Sequence, residues 1–177
     1  LRRAAQLKRL RPDFETPLLR GNVETRLRKA QDGEIDATLL ALAGLKRLGL
    51  ADRATAVLEI SDFLPAVGQG AIAITVRDED HATRARIGAI LHHDTSVALA
   101  AERAFLAVLD GSCKTPIAGH AWVVGGVLDF AGMVLRMDGS ESFEAKASGS
   151  IAEAAQLGAK AGREIFDRLP PGVLASK

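Results

Sequence analysis

Between Leu109 and Gly119 the chain changes architecture. The run Ala101-Glu102-Arg103-Ala104-Phe105-Leu106 reads as helix and stops at Gly111. Pro116 prevents the helix from resuming. Between them Gly111-Ser112-Cys113-Lys114-Thr115 forms a turn that carries the sole cysteine. Upstream, apolar runs alternate with helical segments, the rhythm of an α/β sheet with parallel strands. Downstream, short strands are joined by Gly125-Gly126 and Asp138-Gly139, the rhythm of an antiparallel meander. The chain is therefore expected to hold an α/β part followed by an α+β part.

In the first part the pattern predicts helix over residues 2–9, ended by Arg11-Pro12-Asp13. Asn22 is placed to cap a helix through Ala30 that closes near Asp32-Gly33. Residues 16–19, 35–43, 58–60 and 71–77 are apolar enough to be buried strands. Short helices are expected over 44–50 and near 52–57. A longer helix is expected over 79–91, and another capped by Asp94 and running to Leu109. In the second part strands are expected over 121–124, 127–133 and 142–147. Ser150 and Glu153 have capping-box spacing for a last helix to Arg168, before Pro170-Pro171.

Charge is uneven. Residues 1–50 hold 11 Lys and Arg against 6 Asp and Glu, whereas the remainder hold 12 against 16. The first part is thus a candidate anion-binding region. Nucleic acid is a poor fit, because there is no Tyr and no basic stripe interleaved with stacking residues. No uninterrupted apolar stretch is long enough to span a membrane. A single cysteine excludes an internal disulfide framework and suits a reducing compartment, so the cytoplasm is the expected location. The chain opens at Leu1-Arg2-Arg3 without Met and reads as part of a longer polypeptide.

The cysteine sits beside Lys114, where a nearby positive charge favours the thiolate, on a turn that presents the sulfur. The bland alternative is a small buried hydrophobe. Arg20 ends an apolar run just before Gly21-Asn22, and Arg26 follows on the next helix. A helix N-terminus and guanidinium forks together suit a ligand with several carboxylates. Arg28 and Lys29 read better as a solvated helix face. Gly68-Gln69-Gly70 precedes a strand rather than a helix, so it reads as a hinge and not as a dinucleotide loop. His81, His92, His93 and His120 lack partners at metal-ligand spacing and read as surface or capping residues.

These motifs, in this order, resemble the porphobilinogen deaminase (hydroxymethylbilane synthase) family. The resemblance is carried by Leu1-Arg2-Arg3, Arg11-Pro12-Asp13, Leu19-Arg20-Gly21-Asn22-Val23 with Thr25-Arg26-Leu27, and Ala43-Gly44-Leu45-Lys46-Arg47-Leu48-Gly49. It continues through Leu64-Pro65-Ala66-Val67-Gly68-Gln69-Gly70, Ala101-Glu102-Arg103-Ala104 and the Cys113 loop with Pro116-Ile117. It covers roughly residues 1 to 120, and the rest fits by pattern. Ser112 stands where a glycine or alanine is common.

The resemblance implies stepwise head-to-tail joining of four porphobilinogen units to hydroxymethylbilane, with release of ammonia, in tetrapyrrole (haem) biosynthesis. It implies a dipyrromethane cofactor held through a thioether to Cys113. A thiolate can capture the electrophilic methylene-pyrrolenine that ammonia loss creates, so Cys113 is an anchor rather than a nucleophile in each turnover. Each pyrrole bears acetate and propionate. By resemblance Arg2, Arg3, Arg20, Gly21 and Arg26 bind the cofactor, and Arg20, Arg26 and Arg47 lie along the substrate path. The catalytic aspartate belongs to a first domain upstream of Leu1, so no catalytic residue and no metal ligand is assigned in this chain.

The implied organisation is a periplasmic-binding-protein-like half domain with a mixed sheet over residues 1–70. Residues 71–88 form a hinge and a strand returning to the absent first domain. Residues 89–177 form a small α+β domain with the cysteine loop. The implied partners are porphobilinogen, its oligopyrrole chain and that first domain. Alone, the chain is expected to lack turnover. The competing reading is a non-catalytic module that binds a carboxylate ligand.

Overall fold

The computed structural model describes residues 1–109 and 115–174. Among the described residues six α-helices accompany one three-stranded antiparallel sheet: α1 (Arg2–Leu10), α2 (Val23–Gln31), α3 (Leu42–Arg47), α4 (His81–Gly88), α5 (His93–Val108), β1 (Ile117–Val124), β2 (Val127–Leu135), β3 (Ser142–Ser150) and α6 (Ala154–Phe166). The sheet is a meander in the order β1-β2-β3. Its first hairpin closes Val124 onto Val127 through Gly125 and Gly126, both at positive φ (59° and 79°). That pair of conformations matches the twist of the strands and favours glycine at both places.

All three strands run longer than their sequence pattern predicts. Ala118 and Gly119 are poor strand formers, yet they pair with Met133 and Gly132. Tertiary pairing overrides propensity there. One face of the sheet carries Ile117, Ala121, Leu128, Phe130, Val134 and Ala145 against α5 and α6. The other face carries Ala118, Met133 and Leu135, and packs on Ala5 of α1 and on Leu64. Phe105 of α5 is fully buried, 4.9 Å from the Phe130 ring, and its ring lies over Gly132. A Cβ at 132 would meet that ring at 2.6 Å, so the glycine makes the bed in which Phe105 lies.

The first part departs from its expected fold. Residues 16–19, 35–43, 58–60 and 71–77 form no strand, so the mixed sheet expected over 1–70 is absent among the described residues. A strand of a parallel sheet exists only through neighbours remote in sequence, unlike a hairpin. No such neighbour is supplied within the described residues. Apolar side chains there stay in solvent, with Leu18 and Ile72 each 83% exposed. The expected helices shift as well. Residues 44–50 become Leu42–Arg47, residues 52–57 keep only a single 3₁₀ turn at Ala51–Arg53, and residues 79–91 shorten to His81–Gly88.

Asn22 caps α2 as expected, its side chain accepting from the Thr25 N–H at 2.8 Å. The cap of α5 is His92 rather than Asp94, which lies in the first turn and there suits the helix dipole. Ser150 accepts from Ala152 and opens a 3₁₀ turn (Ile151–Glu153) ahead of α6. No described helix is long and apolar enough to cross a membrane.

Candidate functional site

The two arginines at the start of α1 are held by backbone carbonyls far along the chain. Arg2 Nη1 donates to the Leu64 carbonyl and Arg3 Nη1 to the Leu39 carbonyl, both at 2.9 Å. Gln6, one turn on and buried, donates to the same Leu64 oxygen at 3.0 Å. Each guanidinium has five N–H donors, so one anchored nitrogen leaves the rest of the fork for a ligand. Both line a cavity of about 490 Å³ with Asp36, Arg53, Phe63 and Gln69. Burial, and then the neighbouring Arg3 charge, pull the Arg2 guanidinium below its ordinary pKa. It remains a cation at neutral pH, which makes an entering carboxylate the natural relief of the pair. A hollow of similar volume walled by residues 77–80 alone is one turn of chain, open to solvent.

The other expected residues gather elsewhere. Arg26 Nε donates to the Gly21 carbonyl at 2.9 Å, across the N-terminus of α2. Gly21 has φ 114°, and a Cβ there would strike the Thr25 side chain at 2.8 Å. Arg20 is exposed beside this turn. α2 contributes Leu27 and Ala30 to the cavity wall, but Arg20, Arg26 and Arg47 are not among the lining residues. Arg47 ends α3 with its side chain in solvent.

Cys113 lies outside the described residues, but both stems of its loop are firmly packed. Leu109 is fully buried on one side; Thr115, Pro116 and Ile117 are buried on the other. The Leu135 N–H donates to the Pro116 carbonyl at 3.0 Å and fixes the second stem to β2.

Glu102 joins the two halves, and sequence reasoning missed that role. Its carboxylate is buried, with Oε2 accepting from the Gly68 N–H at 2.6 Å and Oε1 from the Ala121 N–H at 2.9 Å. His120 Nδ1 lies 3.4 Å from Oε1 and its ring stacks on Trp122. The Gly119 N–H also donates to the Pro65 carbonyl at 3.1 Å. Residues 64–70 are thus bound on one side to α1 and on the other to α5 and β1. The available signal was a charge beside the buried Ala101 and Phe105 on a helix face that otherwise reads as core.

Two of the histidines serve at the start of α5, His92 as its cap and His93 3.1 Å from Asp94, whereas His120 is neither surface nor cap but half-buried on β1 beside Glu102. Among the described residues no group of three or more His, Cys, Asp or Glu could hold a metal ion.

Comparison with known proteins gives two family matches in succession. Residues 1–85 match the model described as porphobilinogen deaminase, dipyromethane cofactor binding domain. Residues 97–167 match porphobilinogen deaminase, C-terminal domain. The chain is 58% identical over 168 residues to the porphobilinogen deaminase of Nitrobacter hamburgensis, covering 95% of this chain and 53% of the relative. It is 57% identical to that of Nitrobacter winogradskyi, with the same coverage. It is 49% identical over 167 residues to that of Syntrophobacter fumaroxidans, covering 94% of this chain and 54% of the relative. The chain spans about half the length of these relatives.

Proposed function

Because this chain belongs to the porphobilinogen deaminase family, we propose that it forms the cofactor-carrying portion of an enzyme that joins four porphobilinogen units into hydroxymethylbilane and releases ammonia. The observation that carries this reading is the cavity in which Arg2 and Arg3 each spend one donor on a backbone carbonyl and keep the others free. Its volume lies within the ordinary range for a small-molecule site. Paired guanidiniums suit the acetate and propionate groups that each pyrrole carries. A dipyrromethane fits that chemistry, and when bound it would supply the pyrrole end on which the product chain grows.

In this reading Arg2 and Arg3 clamp carboxylates and orient the rings, while Arg20, Gly21 and Arg26 extend the anion-binding track at the N-terminus of α2. Arg47 lies further along the substrate path. Cys113 is the covalent anchor, its thiolate favoured by Lys114. Residues 1–70 form half of a periplasmic-binding-protein-like domain. Residues 71–88 cross to the rest of the enzyme, and 89–177 carry the cysteine loop. The apolar segments 16–19, 35–43, 58–60 and 71–77 find their strand partners in the portion of the relatives that this chain does not span. The aspartate that handles protons belongs to that portion too, so the isolated chain has no turnover. The enzyme works in the cytoplasm, without nucleic acid or membrane.

The test is the intact mass of this chain beside Cys113→Ser, together with porphobilinogen consumption. An added mass of two linked pyrroles that is lost in the variant supports the reading. Consumption above a no-enzyme control would overturn the expected lack of turnover. Unchanged carboxylate affinity with no pyrrole adduct in either protein would favour a non-catalytic binding module.

A further inference from the structure

We propose that Glu102 is a positioning residue. It locks residues 64–70, and with them the arginine cavity, onto the two elements that flank Cys113. The proposal rests on the reading that Cys113 carries the cofactor. α5, which holds Glu102, runs into the cysteine loop, and β1, which holds Ala121, leads out of it. The one carboxylate accepts from Gly68 with one oxygen and from Ala121 with the other. On the far side of the same segment, Leu64 receives Arg2 and Gln6. Pro65 and Gln69 line the cavity itself. Residues 64–70 are therefore hydrogen-bonded to Arg2 of the cavity at one end and, through Glu102, to the two elements that lead into and out of the thiol loop at the other.

A carboxylate suits this place because both of its hydrogen-bond partners are N–H donors, with His120 Nδ1 a further 3.4 Å neighbour of Oε1. Hydrogen bonds to an ionised acceptor are the stronger class, and here they replace water around a group only 5% exposed. Gly68, at φ 72°, presents its N–H from a turn closed by the Gln69 N–H on the Ala66 carbonyl. Without Glu102 the segment keeps one hydrogen bond to β1, from Gly119 to Pro65, beside the packing of Leu64 and Val67. The residue matters for how residues 64–70 are seated on α5 and β1, not for whether the sheet folds.

Glu102→Gln is the informative variant, since it keeps the shape but turns one oxygen into an N–H₂ donor aimed at another N–H. Amide exchange on the whole chain, followed by NMR, should accelerate at Gly68 by about tenfold or more. Amides of Phe130, Met133 and Ala161 should be unchanged. In parallel, on chain whose intact mass shows no pyrrole adduct, Cys113, the sole thiol, is alkylated with iodoacetamide in the presence and absence of porphobilinogen. Bound porphobilinogen should slow alkylation of the wild type. In the variant it should still bind, by calorimetry, yet the ratio of the two rates should fall to one. Unchanged exchange at Gly68, equal loss of protection across the sheet and α6, or retained shielding in the variant would each overturn the proposal. If porphobilinogen fails to bind the wild type, the reading of the cavity falls, and exchange at Gly68 still decides whether Glu102 is the lock.

Discussion

Gly158 of α6 rides directly on the backbone of Ala101 in α5: a Cβ at 158 would lie 2.6 Å from the Ala101 carbonyl carbon and strike its oxygen. Gly162, one turn on, approaches Val108 and the Phe105 carbonyl in the same way. The two helices can cross this closely only because these positions lack side chains. Gly158→Ala is therefore expected to destabilise the chain by about 1–3 kcal/mol through overpacking. Gly44→Ala, inside α3 with nothing within 4 Å of the added methyl, serves as the comparison. It should be neutral or stabilising by roughly 0.5–1 kcal/mol. Urea titration of both variants checks the contrast, and equal effects would show that the helix crossing tolerates a methyl.

Phe105 is the keystone of the core shared by sheet and helices. It is fully buried, tilted against Phe130, and seated over Gly132. Phe105→Ala leaves a large void that these backbones cannot fill, so a loss of about 3–5 kcal/mol is expected. Trp122, the sole tryptophan, lies on β1 and reports the transition by fluorescence. A loss below about 1 kcal/mol would mean that the core collapses around the gap.

What the sequence disclosed follows from how local each interaction is. The meander was legible because its strands pair with neighbours a few residues away and its turns carry Gly125-Gly126 and Asp138-Gly139. The start and stop of α2 were legible because Asn22 and the Asp32-Gly33 end act within one turn of their helix. The apolar runs at 16–19, 35–43, 58–60 and 71–77 look like strands, yet strand character there depends on partners that sequence pattern cannot supply. Arg2 and Arg3 were legible as candidate anion ligands, but their anchors, Leu64 and Leu39, are carbonyls without a side-chain signature. Glu102 lay hidden for the same reason, since both of its close partners are backbone N–H groups.

Arg3 offers the cleanest test of the cavity. Its anchor is a single hydrogen bond, and it lines the space beside Arg2. Arg3→Gln removes the charge while keeping an N–H₂ for Leu39. Loss of one charge-assisted contact should weaken porphobilinogen binding by about tenfold or more. Arg28→Gln changes a cation that does not line the cavity and should bind as the wild type does. Calorimetry on the two variants separates a specific site from general attraction by a basic surface, which would weaken both alike.

Acid should loosen α4 before it touches the sheet. The Asp80 carboxylate caps α4 by accepting from the Thr83 N–H at 2.9 Å. That backbone hydrogen bond, followed by the Thr83 side chain, holds its pKa below the ordinary carboxylate range. A depressed folded pKa gives stability that is present above the unfolded value and fades as pH falls through the folded one. Asp138 follows the same rule through Ser140, whose side chain first and backbone second favour its charged form. The consequences differ because the Asp138 turn is pinned against α1, where Gly139 abuts Ala5 and Arg9, whereas no residue of α4 is buried. Protection factors across α4, taken relative to the intrinsic exchange rate at each pH, should therefore fall as pH drops below the ordinary carboxylate range, while residues 136–141 keep their protection. Asp80→Asn, which retains a capping oxygen without the charge, should abolish the pH dependence in α4. Persistence of that dependence in the variant would assign the acid sensitivity to another group.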